Sequence, residues 1–471
     1  MTCRLGIDVG STFTSLLLLN TNTGDLNTRK TPSEYKADKF VVLESIKSLL
    51  TEADMSPTDV SLFVHGTTTL VDSLLETKRA PLGLVVTNNF QHVLQLGPSK
   101  TSGQIGRWEP SHKIMTMLAD MTFTKGIPER INARGDIATP IDDASTREAI
   151  YGLVNAGVES ISVSLLHSYV NNKHEQRVKA ILREIKPDMP VFLSSEIHPE
   201  ANEFERTFAT LVTAIAQPYL DNYLKTVEQG IKNLNANSRL SVLRSDGGAI
   251  SYKAAIESPL NTIFSSAAGG ALGSAFVSNV KNLSRALSLD IGGTSTEVSL
   301  INDTQPKIVQ YKNIGEYSLK IPSVEVERIQ MGGGSIARIP MTKALRIGPQ
   351  NASAYGGPAS YSPGSGHATV MDAHLVLGRL PENLIIGGHK LDINAAEQAI
   401  QNLARELQLD LHETAESIID VVNEKIHGAL TQISFKNNVG LSGVPLIAFG
   451  GAGPLHANEV AILGNCYPVI I

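Results

Sequence analysis

Near its N-terminus the chain reads Leu5-Gly6-Ile7-Asp8-Val9-Gly10-Ser11-Thr12-Phe13-Thr14-Ser15-Leu16 and nearly repeats these residues in its second half, and this repeat is the strongest indication of the fold. The second copy reads Leu287-Ser288-Leu289-Asp290-Ile291-Gly292-Gly293-Thr294-Ser295-Thr296-Glu297-Val298. Each copy is an apolar strand, an aspartate, a glycine-containing turn, two hydroxyl residues two positions apart and another apolar run. Glycine permits close backbone approach, and successive backbone N–H groups form an anion nest. Each copy therefore predicts a β-hairpin whose turn admits a phosphate.

The two copies supply a matched set of candidate ligands for a nucleotide. Carboxylates such as those of Asp8 and Asp290 hold Mg²⁺ directly or through water. A single copy is also compatible with an ordinary hairpin, but two matched copies a domain apart favour a clamp that holds phosphates from both sides. The candidate phosphate-binding residues are Gly10, Ser11, Thr12, Thr14, Gly292, Gly293, Thr294 and Thr296.

A third motif, residues 444–456, is a buried strand followed by a glycine-rich turn that opens a helix. Together with the two hairpins it resembles the phosphate-1, phosphate-2 and adenosine motifs of the actin–hexokinase–heat-shock-protein superfamily. In that superfamily the glycines, here Gly450 and Gly451, let the base and ribose lie against the backbone. The resemblance implies an α/β, two-lobed, actin-like (ribonuclease-H-like) ATPase fold with a nucleotide cleft between the lobes.

Composition excludes several other classes of protein. A chain of 471 residues has room for two or three domains. The net charge of −6 and the 5% of aromatic residues give no basis for nucleic-acid binding. No apolar run approaches the ~20 residues of a membrane helix. Cys3 and Cys466 lie at opposite ends without metal-ligand neighbours, so we expect reduced thiols and a cytoplasmic protein.

Strand and helix patterns alternate along the chain, which predicts an α/β class. We place the boundary between the lobes near residue 200, giving lobes 1–200 and 201–471. Pro218 is expected to interrupt the helical region that follows this boundary. The predicted strands are 4–19, 23–30, 62–64, 82–87, 160–166, 191–195 and 240–245, and the predicted helices are 38–53, 144–155, 174–184, 200–234 and 267–273.

Residues 95–113 break this alternation with a glycine- and serine-rich polar segment that holds the only tryptophan. A loop of this length inside an α/β domain is more often functional than idle. Arg107 and Trp108 are therefore candidates for contact with a substrate or partner.

In their order along the chain, several motifs resemble the A subunit of the hydantoinase/oxoprolinase family. This family includes N-methylhydantoinase A, 5-oxoprolinase, and subunits of ATP-dependent ketone carboxylases and lactamases. The chain departs from the usual family pattern at Asp72, at residues 265–268 and at residues 355–362. The motifs that carry the resemblance are residues 8–14, 65–68, 174–175, 203–207, 245–248, 290–296, 332–337, 369–373 and 450–456.

The resemblance implies ATP-dependent hydrolysis of a cyclic amide such as a hydantoin, oxoproline or a lactam. ATP would phosphorylate the carbonyl oxygen, and water would then attack the activated carbon. Asp8 and Asp290 with Mg²⁺ would neutralise charge during phosphoryl transfer, and Asp8 also suits a base or water-orienting role. The resemblance further implies an oligomer that contains a hydantoinase B-type subunit, and a family A subunit that continues beyond the adenosine motif.

Two other functions stay open at this point. A small-molecule kinase of the same superfold would leave a stable phosphorylated product. A non-catalytic ATP-binding scaffold or degenerate paralogue would bind ATP and open no ring. The altered segment 355–362 gives some support to the scaffold.

Several further residues each allow two interpretations. His65 suits either an active-cleft role or a place in the cap of a following helix. The turn formed by Gly332, Gly333 and Gly334 suits either nucleotide contact or a tight loop. Asp372, between His367 and His374, suits either a metal site or the N-cap of a helix with both histidines exposed.

Glu203 and Arg206 suit either an i,i+3 salt bridge or contact with a substrate. Both residues belong to the same predicted helix, three positions apart.

Overall fold

In this computed structural model the described residues are 3–10, 12–33, 39–67, 81–96, 118, 122–234, 237–314, 317–341, 344–361, 364–381, 383–386 and 389–471. The predicted alternation of strands and helices is confirmed. In the part of the chain that the structure describes, no helix combines the length and the apolar character needed to cross a membrane.

The strands, in chain order, fall into sheets and short hairpins. They are β1 (Cys3–Val9), β2 (Phe13–Asn20), β3 (Leu26–Pro32), β4 (Val60–Thr67), β5 (Leu82–Thr87), β6 (Thr122–Ile127), β7 (Arg130–Ile131), β8 (Ile137–Thr139), β9 (Ser160–Ser164), β10 (Val191–Leu193), β11 (Arg239–Leu243), β12 (Ala249–Ser251) and β13 (Arg285–Ile291). They continue with β14 (Thr296–Asn302), β15 (Gln305–Pro306), β16 (Ile308–Val309), β17 (Lys312–Ile314), β18 (Tyr317–Leu319), β19 (Ser323–Val324), β20 (Glu327–Ile329), β21 (Ser335–Arg338), β22 (Arg346–Asn351), β23 (Ile385–Ile386), β24 (His389–Lys390), β25 (Leu446–Phe449) and β26 (Val469–Ile470).

The helices range from one turn to eight. They are α1 (Lys39–Glu52), α2 (Val93–Leu96), α3 (Asp143–Asn155), α4 (Lys173–Ile185), α5 (Ser194–Ile197), α6 (Glu203–Asn233), α7 (Tyr252–Glu257), α8 (Ser265–Val280), α9 (Val370–Val376), α10 (Ile393–Leu407), α11 (Leu411–Lys436) and α12 (Gly453–Gly464). Short 3₁₀ helices occupy Pro57–Asp59, Pro259–Thr262 and Ala352–Tyr355.

The first sheet has the order β12-β11-β4-β1-β2-β3. Strands β1, β2 and β3 form an antiparallel meander, and β4 lies parallel to β1. One face of β1 carries the buried side chains of Leu5, Ile7 and Val9. These side chains pack with α1 and α6 into one core, because alternate residues of a strand face the same side.

The second sheet repeats this arrangement with the order β15-β14-β13-β25-β26. Strands β13 and β14 are antiparallel, β25 lies parallel to β13, and both β15 and β20 pair with β14 in the position that β3 holds in the first sheet. Residues 286–289 of β13 are all buried, because helices cover both faces of this sheet. The sequence repeat is therefore also a repeat of topology.

A third sheet, β10-β9-β5-β6, is parallel throughout. It packs against α3 and α4 on one side and against α6 on the other. Strands β11 and β12 lie beyond residue 200 but belong to the first sheet, so the division into lobes 1–200 and 201–471 stays a prediction.

The predicted interruption at Pro218 is wrong, since α6 runs unbroken through it. Proline removes one backbone N–H and crowds the preceding turn, which ordinarily kinks a helix. Here Ala216 and Leu220 on either side are fully buried in the core beneath the first sheet. We attribute the continuity of the helix to this packing, which outweighs the lost hydrogen bond.

Candidate functional site

The two hairpin turns have the same backbone geometry. Gly10 N donates to Phe13 O over 3.0 Å, and Gly292 N donates to Ser295 O over the same distance. In the strand register Asp8 lies opposite Ser15, and Asp290 lies opposite Glu297. The sequence repeat thus places the two aspartates at equivalent points, two residues before each turn.

The two turns also face each other. A Cβ built on Gly293 would lie only 2.4 Å from Thr12 Oγ1, so the threonine of the first turn rests against the glycine of the second. The Thr12 hydroxyl is buried and has no hydrogen-bond partner among the described residues. A buried hydroxyl without a partner costs free energy, and a phosphate oxygen between the turns would satisfy it.

Helix α8 passes both aspartates near its beginning. The Ser266 side chain lies close enough to Asp8 to lower the pKa of that carboxyl. A Cβ on Gly270, one turn further along, would lie 3.7 Å from Asp290 Oδ2. The small side chains of this helix let it contact strands of both sheets.

Both carboxylates remain accessible to solvent, yet surrounding protein disfavours their charge. Burial raises the pKa of Asp8 to about 6, the Ser266 side chain opposes this rise, and Glu297 adds to it. Burial likewise raises the pKa of Asp290 to about 7; Glu297 and Asp8 add to the shift, whereas Lys30 opposes it. A cation between these groups would favour their ionised forms.

Within the described residues no group of three or more histidine, cysteine, aspartate or glutamate side chains could hold a metal ion by itself. Mg²⁺ does not require such a group, because it commonly binds one or two carboxylates together with water and substrate phosphates. Asp8 and Asp290 fit this mode. They would hold Mg²⁺ only together with a nucleotide.

Thr14 and Thr296, which the sequence predicts as phosphate ligands, use their hydroxyl groups within the protein. The Thr14 hydroxyl lies 3.0 Å from Ser33 Oγ, and the Thr296 hydroxyl donates to Met331 O over 2.7 Å. Both threonines are buried and hold the residues just beyond a neighbouring strand, which is β3 for Thr14 and β20 for Thr296. Thr12 and Thr294 lie in the turns themselves.

The turn at Gly332, Gly333 and Gly334 packs directly on the second hairpin. Gly333 N donates to Gly292 O over 3.0 Å, and Gly334 N donates to Gly293 O over 2.8 Å. A Cβ on Gly332 would lie 2.5 Å from Gly292 O, so this position has no space for a side chain. The turn therefore supports the second phosphate loop, and a direct contact with nucleotide stays a prediction.

The adenosine motif ends β25 and opens α12 beside Asp290. Gly450 has φ +86°, and a Cβ there would lie 2.2 Å from Asp290 Oδ1. Ala452 N donates to Ile291 O over 2.9 Å, which joins this turn to the second hairpin. A Cβ on Gly451 would lie 3.4 Å from Lys30 Nζ, so this glycine borders the first sheet. Gly450 thus has no space for a side chain, and contact of Gly450 and Gly451 with a nucleotide stays a prediction.

His65 is fully buried on the other face of β4. It is in register with Ile7, whereas Gly66 is in register with Asp8, so His65 and Asp8 point to opposite sides of the first sheet. Its Nε2 lies 2.7 Å from Tyr223 Oη, and burial lowers the pKa of His65 to about 4. The structure does not bring His65 together with the two aspartates.

Asp372 is held in a capping box, and the N-cap of α9 is Thr369 instead. The Asp372 carboxylate accepts from Thr369 and from the backbone N–H groups of Ala359 and Ser360. The divergent segment 355–361 is thus tied to this helix. It also borders a cavity of about 400 Å³ near Tyr361, which lies apart from the two hairpins.

The expectation that both histidines flanking Asp372 are exposed is wrong for His374. His374 Nε2 lies 3.0 Å from His456 Nε2, and His456 Nδ1 lies 2.7 Å from Asn423 Oδ1. Burial lowers the pKa of His374 to about 2 and that of His456 to about 4. The network ties the adenosine-motif helix α12 to α9 and α11.

Arg206 is also fully buried. It donates hydrogen bonds to the backbone oxygens of Leu165 and Glu200. The sequence had predicted instead a salt bridge with Glu203 or contact with a substrate. The role of Arg206 is to satisfy carbonyl groups where β9 and α5 meet α6.

Sequence reasoning missed Lys30, Glu297 and Ser266. Ser266 lies in the divergent segment 265–268, to which the sequence analysis assigned no role in the site. Lys30 and Glu297 are cross-strand neighbours of residues in the repeated stretch, through the pairs Ser15–Lys30 and Asp290–Glu297. Counting the register back from the turn after β2 would have located Lys30.

Ser11, Asp72 and Thr68, and the segment with Arg107 and Trp108, lie outside the described residues. Their expected contacts stay predictions.

Comparison with known proteins covers nearly the whole chain. The sequence pattern described as the hydantoinase/oxoprolinase N-terminal region matches residues 4–186, and the pattern described as hydantoinase/oxoprolinase matches residues 206–471.

Three similar proteins have names that describe an activity. Caprolactamase subunit alpha of Pseudomonas jessenii is 28% identical over 97% of this chain and 66% of its own length. 5-Oxoprolinase of Saccharomyces cerevisiae is 29% identical over 97% of this chain and 39% of its own length. The nucleotide-free structure of acetone carboxylase, an ATP-dependent enzyme, gives a TM-score of 0.88 at 26% identity and covers 99% of this chain and 68% of that chain. The chain spans about two thirds or less of these proteins, and the structural match confirms the predicted fold class.

Proposed function

Because the chain belongs to the hydantoinase/oxoprolinase family, we propose that it is the ATP-binding subunit of an enzyme that hydrolyses a cyclic amide. The observation that carries the proposal is that two equivalent hairpin turns face each other and their two equivalent aspartates both lie beside helix α8. The names of two relatives, caprolactamase and 5-oxoprolinase, support a cyclic amide as the substrate class.

A cyclic amide is a poor electrophile, and phosphorylation of its oxygen removes this obstacle. The amide oxygen attacks the γ-phosphorus of ATP, the bond to the β-phosphate oxygen breaks, and ADP leaves. Water adds to the activated carbon, the C–N bond breaks, and the ring nitrogen departs with a proton. The resulting acyl phosphate reacts with a second water to give the ring-opened acid and inorganic phosphate.

In this scheme the protein positions groups and neutralises charge, which is most of what phosphoryl transfer requires. The turn amides of Gly10 and Gly292 already donate within the hairpins, so the turns are held rigidly. The partnerless Thr12 hydroxyl would donate to a phosphate oxygen. The pKa of Asp8 is raised toward neutral pH, and its carboxylate would orient the attacking group or take its proton.

Mg²⁺ would be held by Asp8 and Asp290 and would supply charge neutralisation on the phosphates. The site suits a cation because the surrounding protein raises the pKa of both carboxyl groups and so disfavours two negative charges there. We expect Mg²⁺ binding to lower both pKa values.

We also propose a second subunit of the hydantoinase B type. Support comes from relatives whose names mark them as parts of larger enzymes, such as caprolactamase subunit alpha. Both cysteines are free and buried, which is consistent with the cytoplasmic location that we propose.

The test is a product analysis with Mg²⁺ and ATP over hydantoin, 5-oxoproline and caprolactam, with and without a co-expressed B-type subunit. We expect ring-opened acid and inorganic phosphate in equal amounts, and neither product from Asp290→Asn.

A stable phosphorylated organic product would instead identify a small-molecule kinase. ATP binding without ring opening by the complete complex would identify a scaffold. Either result would overturn the proposal.

A further inference from the structure

Lys30 lies at the end of a row of side chains that crosses the first sheet. In the strand register Asp8 lies opposite Ser15, and Ser15 lies opposite Lys30, so all three side chains lie on one face of the sheet. This is the face that Asp8 presents to the cleft. Lys30 is thus aligned with the first aspartate although 22 positions separate them in sequence.

The Lys30 ammonium reaches the second sheet. Its Nζ would lie 3.4 Å from a Cβ on Gly451, the second glycine of the adenosine motif. It is also close enough to Asp290 for that carboxylate to influence its titration. Lys30 is therefore a cation of the first hairpin sheet placed at the glycine turn of the second.

This ammonium has no hydrogen-bond or ion-pair partner among the described residues. Its Nζ lies 4.9 Å from the centre of the Phe13 ring, which attracts a cation weakly and accepts no ion pair. Surrounding protein lowers the pKa of Lys30, and Asp290 opposes that effect. The side chain remains accessible to a ligand.

The second sheet has a basic residue at the equivalent position, but that residue is compensated. Register pairs Asp290 with Glu297 and Glu297 with Arg328, so Arg328 corresponds to Lys30. Arg328 Nε lies 3.6 Å from Glu297 Oε1. In the first sheet the residue beside Lys30 is Ser15, which carries no charge and forms no ion pair with the ammonium. The charge of Lys30 is therefore available to another anion.

We propose that Lys30 contacts the terminal phosphate of bound ATP and neutralises the charge that develops there during transfer. The inference rests on the function proposed above, because it takes ATP as the anion. A terminal phosphate between Asp8 and Asp290 with its Mg²⁺ lies within reach of an ammonium aligned with one aspartate and facing the other. A lysine makes this contact as a point charge.

The test compares Lys30→Met and Lys30→Arg with Arg29→Gln. Arg29 is the matched control: it precedes Lys30 on the same strand, points to the opposite face and pairs with Glu52 of α1. The complete complex is assayed for ATP turnover. Each variant alone is titrated with a non-hydrolysable ATP analogue and with ADP, and thermal melting checks the fold.

For Lys30→Met we expect turnover to fall ~100-fold. Affinity for the ATP analogue should fall ~10-fold, while affinity for ADP should change less than ~3-fold, because ADP lacks the phosphate that Lys30 contacts. Lys30→Arg should recover part of both losses, and Arg29→Gln should match wild type.

Unchanged turnover and ATP affinity in Lys30→Met, with Asp290→Asn inactive, would overturn the role of Lys30 and leave the ATP cleft standing. Equal losses of ATP and ADP affinity would also overturn it, since they would show general attraction of anions. If wild type fails to bind either nucleotide, the proposed function itself fails.

Discussion

The two hairpin sheets share a backbone plan and differ in the charges that they present. Both turns close through the same backbone hydrogen bond, and both place an aspartate two residues before the first turn glycine. Thr14 and Thr296 also make equivalent contacts, because each bonds to the residue two positions beyond its strand partner, Thr31 or Ile329.

The side chains across the sheets are not equivalent. The row in the first sheet is Lys30, Ser15 and Asp8, whereas the row in the second is Arg328, Glu297 and Asp290. The first sheet keeps an ammonium without a partner among the described residues, and the second uses its basic residue in an internal pair. The repeated backbone plan therefore carries different charges in the two sheets: each presents an aspartate, but among the described residues the basic residue is paired in the second sheet and unpaired in the first.

Exchange of the aspartates gives the largest expected effect. Asp8→Asn and Asp290→Asn should each reduce ATP turnover by ~10³-fold or more, because each removes a carboxylate from the phosphoryl-transfer site. Steady-state phosphate release by the complete complex measures this. Circular dichroism should show an intact fold, and near wild-type turnover in either variant would show that the two sheets do not share one site.

Substitution of the glycine beside each aspartate distinguishes how tightly the two sheets pack around their carboxylates. Gly450→Ala should abolish measurable nucleotide binding, because its φ is +86° and the new Cβ would lie 2.2 Å from Asp290 Oδ1. Gly66→Ala, beside Asp8, should be tolerated, since that Cβ would lie at an ordinary 3.5 Å from Asp8 Oδ1. Calorimetric titration with ADP compares them, and equal affinities would contradict the close packing of the second turn against Asp290.

Asp290→Asn should also stabilise the protein without Mg²⁺ at alkaline pH. The folded pKa of Asp290 is raised from 3.8 to about 7, so the native carboxyl holds its proton longer than the unfolded one and loses that advantage as pH rises. Asparagine removes the cost of the buried charge, by ~1–2 kcal/mol after allowance for solvent access.

Urea unfolding at pH 8 and pH 4.5, compared with wild type, tests this sign. The stabilising effect should be larger at pH 8. A larger effect at pH 4.5 would mean that Asp290 is stabilised as an anion in the native protein.

The smallest expected effect concerns the buried threonines. Thr14→Val and Thr296→Val should each lower the free energy of unfolding by ~1–2 kcal/mol, because each removes the hydroxyl of a buried side chain from its hydrogen bond. Thr296→Val should cost more, since it leaves the Met331 carbonyl without this donor, whereas Ser33 can rotate its hydroxyl. The same denaturation measurement ranks them, and the opposite order would contradict this account.

Local pattern was sufficient to predict the hairpins and the adenosine turn. Aspartate, glycine and hydroxyl residues occur there at short, fixed separations, so neighbouring positions specify the structure. The interaction of Lys30 with the second sheet depends on the β2–β3 register and on the approach of the two sheets, neither of which a local motif encodes.

The same limit of local motifs explains why the sequence did not predict the positions of His65 and His374. His65 stands next to Gly66 in sequence, but the alternation of strand β4 directs it into the core with Tyr223. His374 is buried because His456, far along the chain, packs against it. A motif shows which residues are adjacent in sequence and leaves open which face of a sheet or helix they occupy.

Helix α8 has a geometric consequence for the reaction. Ser266 lies beside Asp8 and Gly270 lies beside Asp290, four positions apart on one side of the helix. At ~1.5 Å of rise per residue these contacts are separated by ~6 Å along the axis. The helix therefore lies beside both carboxylates, with one of its turns facing each of them. A single residue inserted between positions 266 and 270 would rotate one contact away by ~100°, so the length of this segment is as much a part of the site as the aspartates themselves.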